Sequence, residues 1–173
     1  MKTIFFALTI SFVMLTGSLF AQQFNRKEPS MKYHMYVAVS GDQKLLRYDM
    51  DPDTGDLTLV EEVPAKGGIG PLCTDPQQKY LYAALRRSKE LVTYKIDPET
   101  GALEHIATAP FDGGSCYIST DKTGRYLFSA YYGEGAVAIN AIDKDGAVLA
   151  PHRQWIPTDE HAHCFFSDPS NRY

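Results

Sequence analysis

The sequence is short of cationic runs. No Lys/Arg block exceeds a pair, and the 173 residues carry a formal net charge of -4. Such a chain has no basic stripe with which to neutralise phosphates, so no nucleic-acid partner is expected. Helical patterning is equally scarce: beyond residue 21 few stretches repeat apolar residues every 3.6 positions. Cysteine appears three times, at Cys73, Cys116 and Cys164. An odd count leaves at least one thiol unpaired, and the spacing fits no zinc pattern. Buried free thiols on strands are expected rather than a bridge. The G-x-S-x-G turn that presents a serine nucleophile is absent.

Long apolar runs are missing as well. The one from Ile4 to Leu15 falls short of the roughly 20 residues of a membrane-spanning helix. It follows Lys2 and precedes the small residues Gly17, Ser18 and Ala21. That order is the signature of a secretory signal peptide, predicted to be cleaved after Ala21. No cysteine stands at the cleavage site to take a lipid. Residues 1–21 are therefore set aside from the fold, residues 22–30 read as a polar lead-in, and the mature chain is expected in the periplasm or outside the cell, free of the membrane.

What the sequence has is repetition. "DPDTG" begins at Asp51, "DPETG" at Asp97 and "DKDG" at Asp143, 46 positions apart each time. "CTDPQQKYLYAAL" is matched by "STDKTGRYLFSAY", with Asp75 and Asp121 again 46 apart, and "FSDPSNRY" begins a third copy with Asp168 one residue late. Within a period, "LVTYKI" sets Val92, Tyr94 and Ile96 on one face and Leu91, Thr93 and Lys95 on the other, the alternation of a half-buried strand. "DPETG" then turns the chain: Pro98 presets φ at the first corner, and Gly101 accepts the positive φ that closes a hairpin. "ALEHIAT" returns as a strand, and "SCYIST" is read as the fourth strand of the period. Repeated four-stranded antiparallel units of this length predict an all-β fold, a β-propeller of four-stranded blades. Closure of such a ring takes about 4–8 blades, whereas residues 31–173 hold about three periods of 46. The expectation is a partial propeller, incomplete at its C-terminus. The alternative is that three units fold alone or assemble with other copies.

The segments "LLRYDMDPDTGDLTLVEEVP", "YLYAALRRSKELVTYKIDPETGAL" and "CYISTDKTGRYLFSAYYGEGAVAINAI" resemble the opening blades of the seven-bladed lactonase propellers. These are of the 6-phosphogluconolactonase type and are related to muconate-lactonising enzymes. The resemblance runs from about Tyr33 to the last residue. It implies three of seven blades, hydrolysis of a sugar lactone by the complete ring, no cofactor, and a fragment inactive alone. It also implies one site residue: the family's histidine, six residues before the proline of an inner-strand turn, falls on His163, six before Pro169. The family's arginine and glutamate of later blades lie beyond Tyr173.

On chemical grounds, an imidazole titrating near neutrality can take a proton from water and return it to a leaving alkoxide, which is what lactone hydrolysis requires. His161, two residues away, has no counterpart in the family pattern. "HAH" invites a metal, but two ligands without Cys, His or Asp partners at known spacing do not make a zinc site. Asp51, Asp53 and Glu62 fall at positions 1, 3 and 12 of a calcium loop, yet the glycine is misplaced and the sister copy lacks the last carboxylate, so a hairpin turn is expected. Arg86 and Arg87 follow a strand and suit either solvated charge or the bidentate grip of an anion. Gly113–Ser115 leads into an inner strand. If the protein is exported, an unphosphorylated lactone fits better than a phosphorylated one. A non-catalytic binding or scaffold propeller is the competing reading, since fold alone does not decide function.

Overall fold

The structure is a computed structural model and describes residues 33–172. The expected signal peptide and lead-in lie outside the described residues. Among those described there is no helix, and eleven strands form three antiparallel sheets. The first sheet is β1 (Tyr33–Val39), β2 (Lys44–Met50) and β3 (Leu57–Pro64). The second is β4 (Ile69–Thr74), β5 (Tyr80–Leu85), β6 (Glu90–Ile96) and β7 (Leu103–Pro110). The third is β8 (Tyr117–Thr120), β9 (Tyr126–Tyr131), β10 (Ala136–Ala141) and β11 (Gln154–Pro157).

The sheets differ from the sequence period by one strand. "SCYIST" is not the outermost strand of the period that precedes it; its core, β8, pairs with β9 and opens the next sheet. The reason is local. Asp121 turns β8 tightly into β9, whereas the six-residue stretch between β7 and β8 carries the chain across from the outer edge of one sheet to the inner edge of the next. Inner strands then lie side by side: Thr120 Oγ1 donates to the Thr74 carbonyl at 3.2 Å, 46 residues earlier.

Each sheet buries both faces where it has two neighbours. Leu81, Ala83, Leu85, Val92 and Tyr94 point towards the first sheet and pack with Leu45, Ala65 and Ile69. Tyr82, Ala84 and Leu91 point the other way and pack with Ile118, Leu127, Tyr131 and Ala138. The half-buried expectation for "LVTYKI" is thereby corrected: Leu91, Val92, Thr93 and Tyr94 are all buried, because blades cover both sides of β6. The faces of the alternation are as read; only Lys95, near the strand's end, is exposed. Burial of a side chain of this size contributes about 1.5–3 kcal/mol.

Polar pins cross these interfaces. Tyr82 donates its hydroxyl to the Gly146 carbonyl at 3.1 Å. Arg47, 7% exposed, donates Nε to Glu61 at 3.0 Å and an η-nitrogen to the Thr100 carbonyl at 2.5 Å. Tyr36 donates to the Gly101 carbonyl at 2.6 Å.

The repeated motifs are turns of two kinds. Asp51 Oδ1 accepts the amides of Asp53 and Thr54 at 2.8 and 3.0 Å, and Asp97 Oδ1 those of Glu99 and Thr100 at 3.0 and 2.8 Å. Gly55 and Gly101 sit at φ 78° and 69°, a region closed to most L-residues. These carboxylates brace hairpins, as expected. The second kind links the inner strand to its neighbour. Asp75, Asp121 and Asp168 accept amides two to five residues ahead, and Gln78, Gly124 and Asn171 follow at φ 56°, 70° and 58°. The third copy is thus built like the other two. Its extra residue falls between Asp143 and Pro157, in the β10–β11 segment, which is one residue longer than its counterparts.

The first sheet has three strands, with β1 at its edge. Its outward face presents Tyr33, Met35, Val37 and Leu59, between 40 and 47% exposed, in cross-strand register with Leu46 and Tyr48. An apolar sheet face of this kind is the surface that a further blade would cover.

Candidate functional site

One rim of the stack collects the β1–β2, β5–β6 and β9–β10 loops and the crossings that follow β3, β7 and β11. Backbone hydrogen bonds join them: Ala65 N–H to the Gln43 carbonyl, Arg86 N–H to Gly68, Phe111 N–H to Lys89, Thr158 N–H to Gly135 and His161 N–H to Tyr132, at 2.8–3.2 Å. The three crossings align as "PAKGGIG" from Pro64, "PFDGGSC" from Pro110 and "PTDEHAH" from Pro157. His163 therefore stands where Gly70 and Cys116 stand, at the start of an inner strand.

Residues 163–167, in the inner-strand position of the third copy, join no sheet among the described residues, but they lie along β8. Cys116 Sγ faces the Ala162 carbonyl at 3.4 Å and that of His163 at 3.8 Å, and Ser119 Oγ donates to Phe165 at 2.8 Å. The rings of Phe128 and Phe165 meet at 5.0 Å.

His163 is exposed on this rim. Its ring meets Tyr132 edge-on, centroids 5.8 Å apart at 89°, while His161 stacks on Tyr132 at 4.4 Å and 27°. Glu134, two residues after Tyr132, accepts the Gly114 amide at 3.3 Å. The structure thus brings His161, His163, Tyr132 and Cys116 together, with Glu134 and Gly113–Gly114 adjoining. Ser115 is fully buried, its hydroxyl bonded to the Tyr117 and Ala130 carbonyls, so it braces the crossing rather than facing a ligand.

Arg86 and Arg87 lie on the same rim one blade earlier. Their stems cross Gly70 and Gly68, where any β-carbon would fall within 3 Å of them. Neither guanidinium has an acidic partner among the described residues. Asp51 and Asp53 sit on hairpin turns, at the far ends of β2 and β3. Among the described residues no group of three His, Cys, Asp or Glu side chains is placed to hold a metal.

The three thiols are free. Burial first, and then the Asp75 carboxylate, push Cys73 up to about 12. Contrary to the expectation of burial, Cys73 and Cys116 are only partly buried and Cys164 is exposed, the last because residues 163–167 join no sheet among the described residues.

Tyr132 and Glu134 are the rim residues that the motifs did not flag. The period held the signal: Tyr132 is 46 positions after Arg86 and so occupies the same rim loop.

Stacked antiparallel sheets of three and four strands, with the inner strands β4 and β8 side by side and a rim of loops where they begin, define a β-propeller. The chain belongs to the Lactonase, 7-bladed beta-propeller family, which residues 34–173 match. No curated protein matches it. Among solved structures it is similar to the "putative 6-phosphogluconolactonase" of Bacteroides uniformis, with 25% identity and a TM-score of 0.73, over 84% of this chain and 43% of that one. The protein of the same description from Bacteroides fragilis gives 21% identity and 0.73, over 84% and 46%. The periplasmic gluconolactonase PpgL of Pseudomonas aeruginosa gives 16% and 0.67, over 77% and 41%. The last two likenesses speak to the fold alone. This chain spans less than half the length of each of these structures.

Proposed function

We propose that this chain forms part of a lactone hydrolase and that His163 is the base of its site. Membership of the lactonase propellers, joined to an exposed imidazole at the position where the sister copies enter an inner strand, carries the reading. In the reaction, the imidazole takes a proton from water as the oxygen attacks the lactone carbonyl carbon. The tetrahedral oxyanion collapses, the ring C–O bond breaks, and the imidazolium returns the proton to the departing alkoxide. Water is consumed and one hydroxy acid leaves, with no cofactor required.

The Gly114 N–H points at Glu134 and is not free to meet the oxyanion. The reading therefore assigns that task to further blades of a closed ring, with the 173-residue chain inactive by itself. An exported protein would act on an unphosphorylated sugar lactone.

The test is hydrolysis of D-glucono-1,5-lactone by a form extended with the remaining blades, beside its His163→Gln variant and the 173-residue chain. Loss of about 10²–10⁴ in kcat in the variant is expected, the usual contribution of a general base. Unchanged turnover in the variant removes His163 from the mechanism. Turnover by the short chain refutes the need for a ring. One observation favours the second reading, a non-catalytic binding propeller: among the described residues no side chain hydrogen-bonds the His163 ring to orient it as a base. Saturable lactone binding without hydrolysis would establish that reading.

A further inference from the structure

His161 stands in a glycine's place. In the aligned crossings its counterparts are Gly68 and Gly114. Gly68 has φ 76° and His161 has φ 72°, whereas Gly114 is not in this region; it is a conformation that glycine adopts freely and a residue with a β-carbon resists. Replacing glycine there with a large imidazole strains the backbone, and such strain persists only where surrounding contacts enforce it. The contacts are present, and both come from one residue. The Tyr132 carbonyl accepts the His161 N–H at 3.2 Å, and the Tyr132 ring lies flat against the His161 ring. The edge-on contact of the same tyrosine with His163 then makes Tyr132 the shared neighbour of both histidines.

We propose that Tyr132 and His161 are positioning residues: together they clamp the crossing and fix the direction in which the His163 imidazole leaves the rim. The proposal rests on the role given to His163 above. It also accounts for a base without a hydrogen-bonding orienter, because ring packing does the orienting. Neither clamp residue needs to touch the reacting atoms.

The clamp and the chemistry are tested separately. In the 173-residue chain, the histidine ring protons are followed by NMR, with His163→Gln supplying the assignment. Stacking on Tyr132 shifts the His161 ring protons upfield, and a fixed His163 gives dispersed signals. His161→Asn tolerates the left-handed backbone but removes the stacked ring, and Tyr132→Phe keeps the ring and the carbonyl. The clamp predicts that His161→Asn and Tyr132→Ala move the His163 signals to free-histidine positions while Tyr132→Phe preserves them. His163 signals indifferent to His161→Asn would overturn it.

In the extended form, His161→Asn is expected to reduce kcat about tenfold or more with KM within about twofold, as for a misaimed reacting group. A loss confined to KM would count against positioning. If no form hydrolyses lactone, the function proposed above fails, while the NMR comparison still decides the clamp.

Discussion

Asp121 offers the most direct test of how the repeat holds itself together. It is 4% exposed and accepts the amides of Arg125 and Tyr126 on Oδ1 at 2.8 and 2.9 Å. On Oδ2 it accepts the Thr123 amide at 3.1 Å, the Thr123 hydroxyl at 2.5 Å and the Asn171 side-chain amide at 3.3 Å. One carboxylate therefore closes its own turn and reaches the turn of the next copy. Asp121→Ala strands three backbone amides. A hydrogen bond to a charged group contributes about 1.5–3 kcal/mol, but Thr123, Arg125 and Tyr126 are exposed residues and their amides regain water. A net loss of about 2–4 kcal/mol is expected. With a urea slope near 2 kcal/mol/M, the unfolding midpoint falls by roughly 1–2 M.

The acid limb gives an independent check. Burial raises the Asp121 pKa, but the hydrogen bonds from Thr123, Tyr126 and Asn171 outweigh it, and the carboxyl stays below its ordinary value. A group depressed in the folded state stabilises fully above its unfolded pKa, about 3.9, and that stability fades as pH falls through the folded pKa. The gap between wild type and Asp121→Ala is therefore constant near neutrality and narrows below about pH 4. Urea titrations at pH 7, 4 and 3 decide the matter. A midpoint shift under about 0.2 M at pH 7, or a gap that widens in acid, refutes the reasoning.

Other perturbations follow from the packing. Leu91→Ala, at a fully buried position between the second and third sheets, is expected to cost about 2–5 kcal/mol, read as a lower urea midpoint with an unchanged slope. Gly101→Ala meets both a φ of 69° and the His34 ring, which a β-carbon would approach to 2.4 Å, so a loss of more than about 1 kcal/mol is expected by the same assay. With its pKa pushed up to about 12, Cys73 should resist iodoacetamide at pH 8, while exposed Cys164 reacts first; peptide mass spectrometry reads the order.

The sequence was most legible where chemistry is local. Asp51, Asp97 and Asp143 announce their turns because a short carboxylate followed by glycine can do little else, and the alternation in "LVTYKI" separates its two faces correctly. Legibility failed where the answer depends on a neighbour. Lys95 suggested a wet face for β6, but the next blade dries Leu91 and Thr93. "SCYIST" follows "ALEHIAT" in the chain, yet pairing is decided by the tight turn after it, not by the strand before it. For the site, His163 emerged only through family resemblance. Tyr132 was hidden because nothing in "YYGEG" distinguishes a ring that packs on histidines from one that fills a core. Aligning the three crossings reveals it, since a histidine in a glycine's slot needs a partner.

The one-strand displacement between repeat and sheet has an evolutionary edge. Copying a single 46-residue unit would hand the recipient protein a strand meant for somebody else's sheet and leave its own sheet short. Only changes made in tandem keep every strand supplied, so chains of this design can grow or shrink by whole periods within the row.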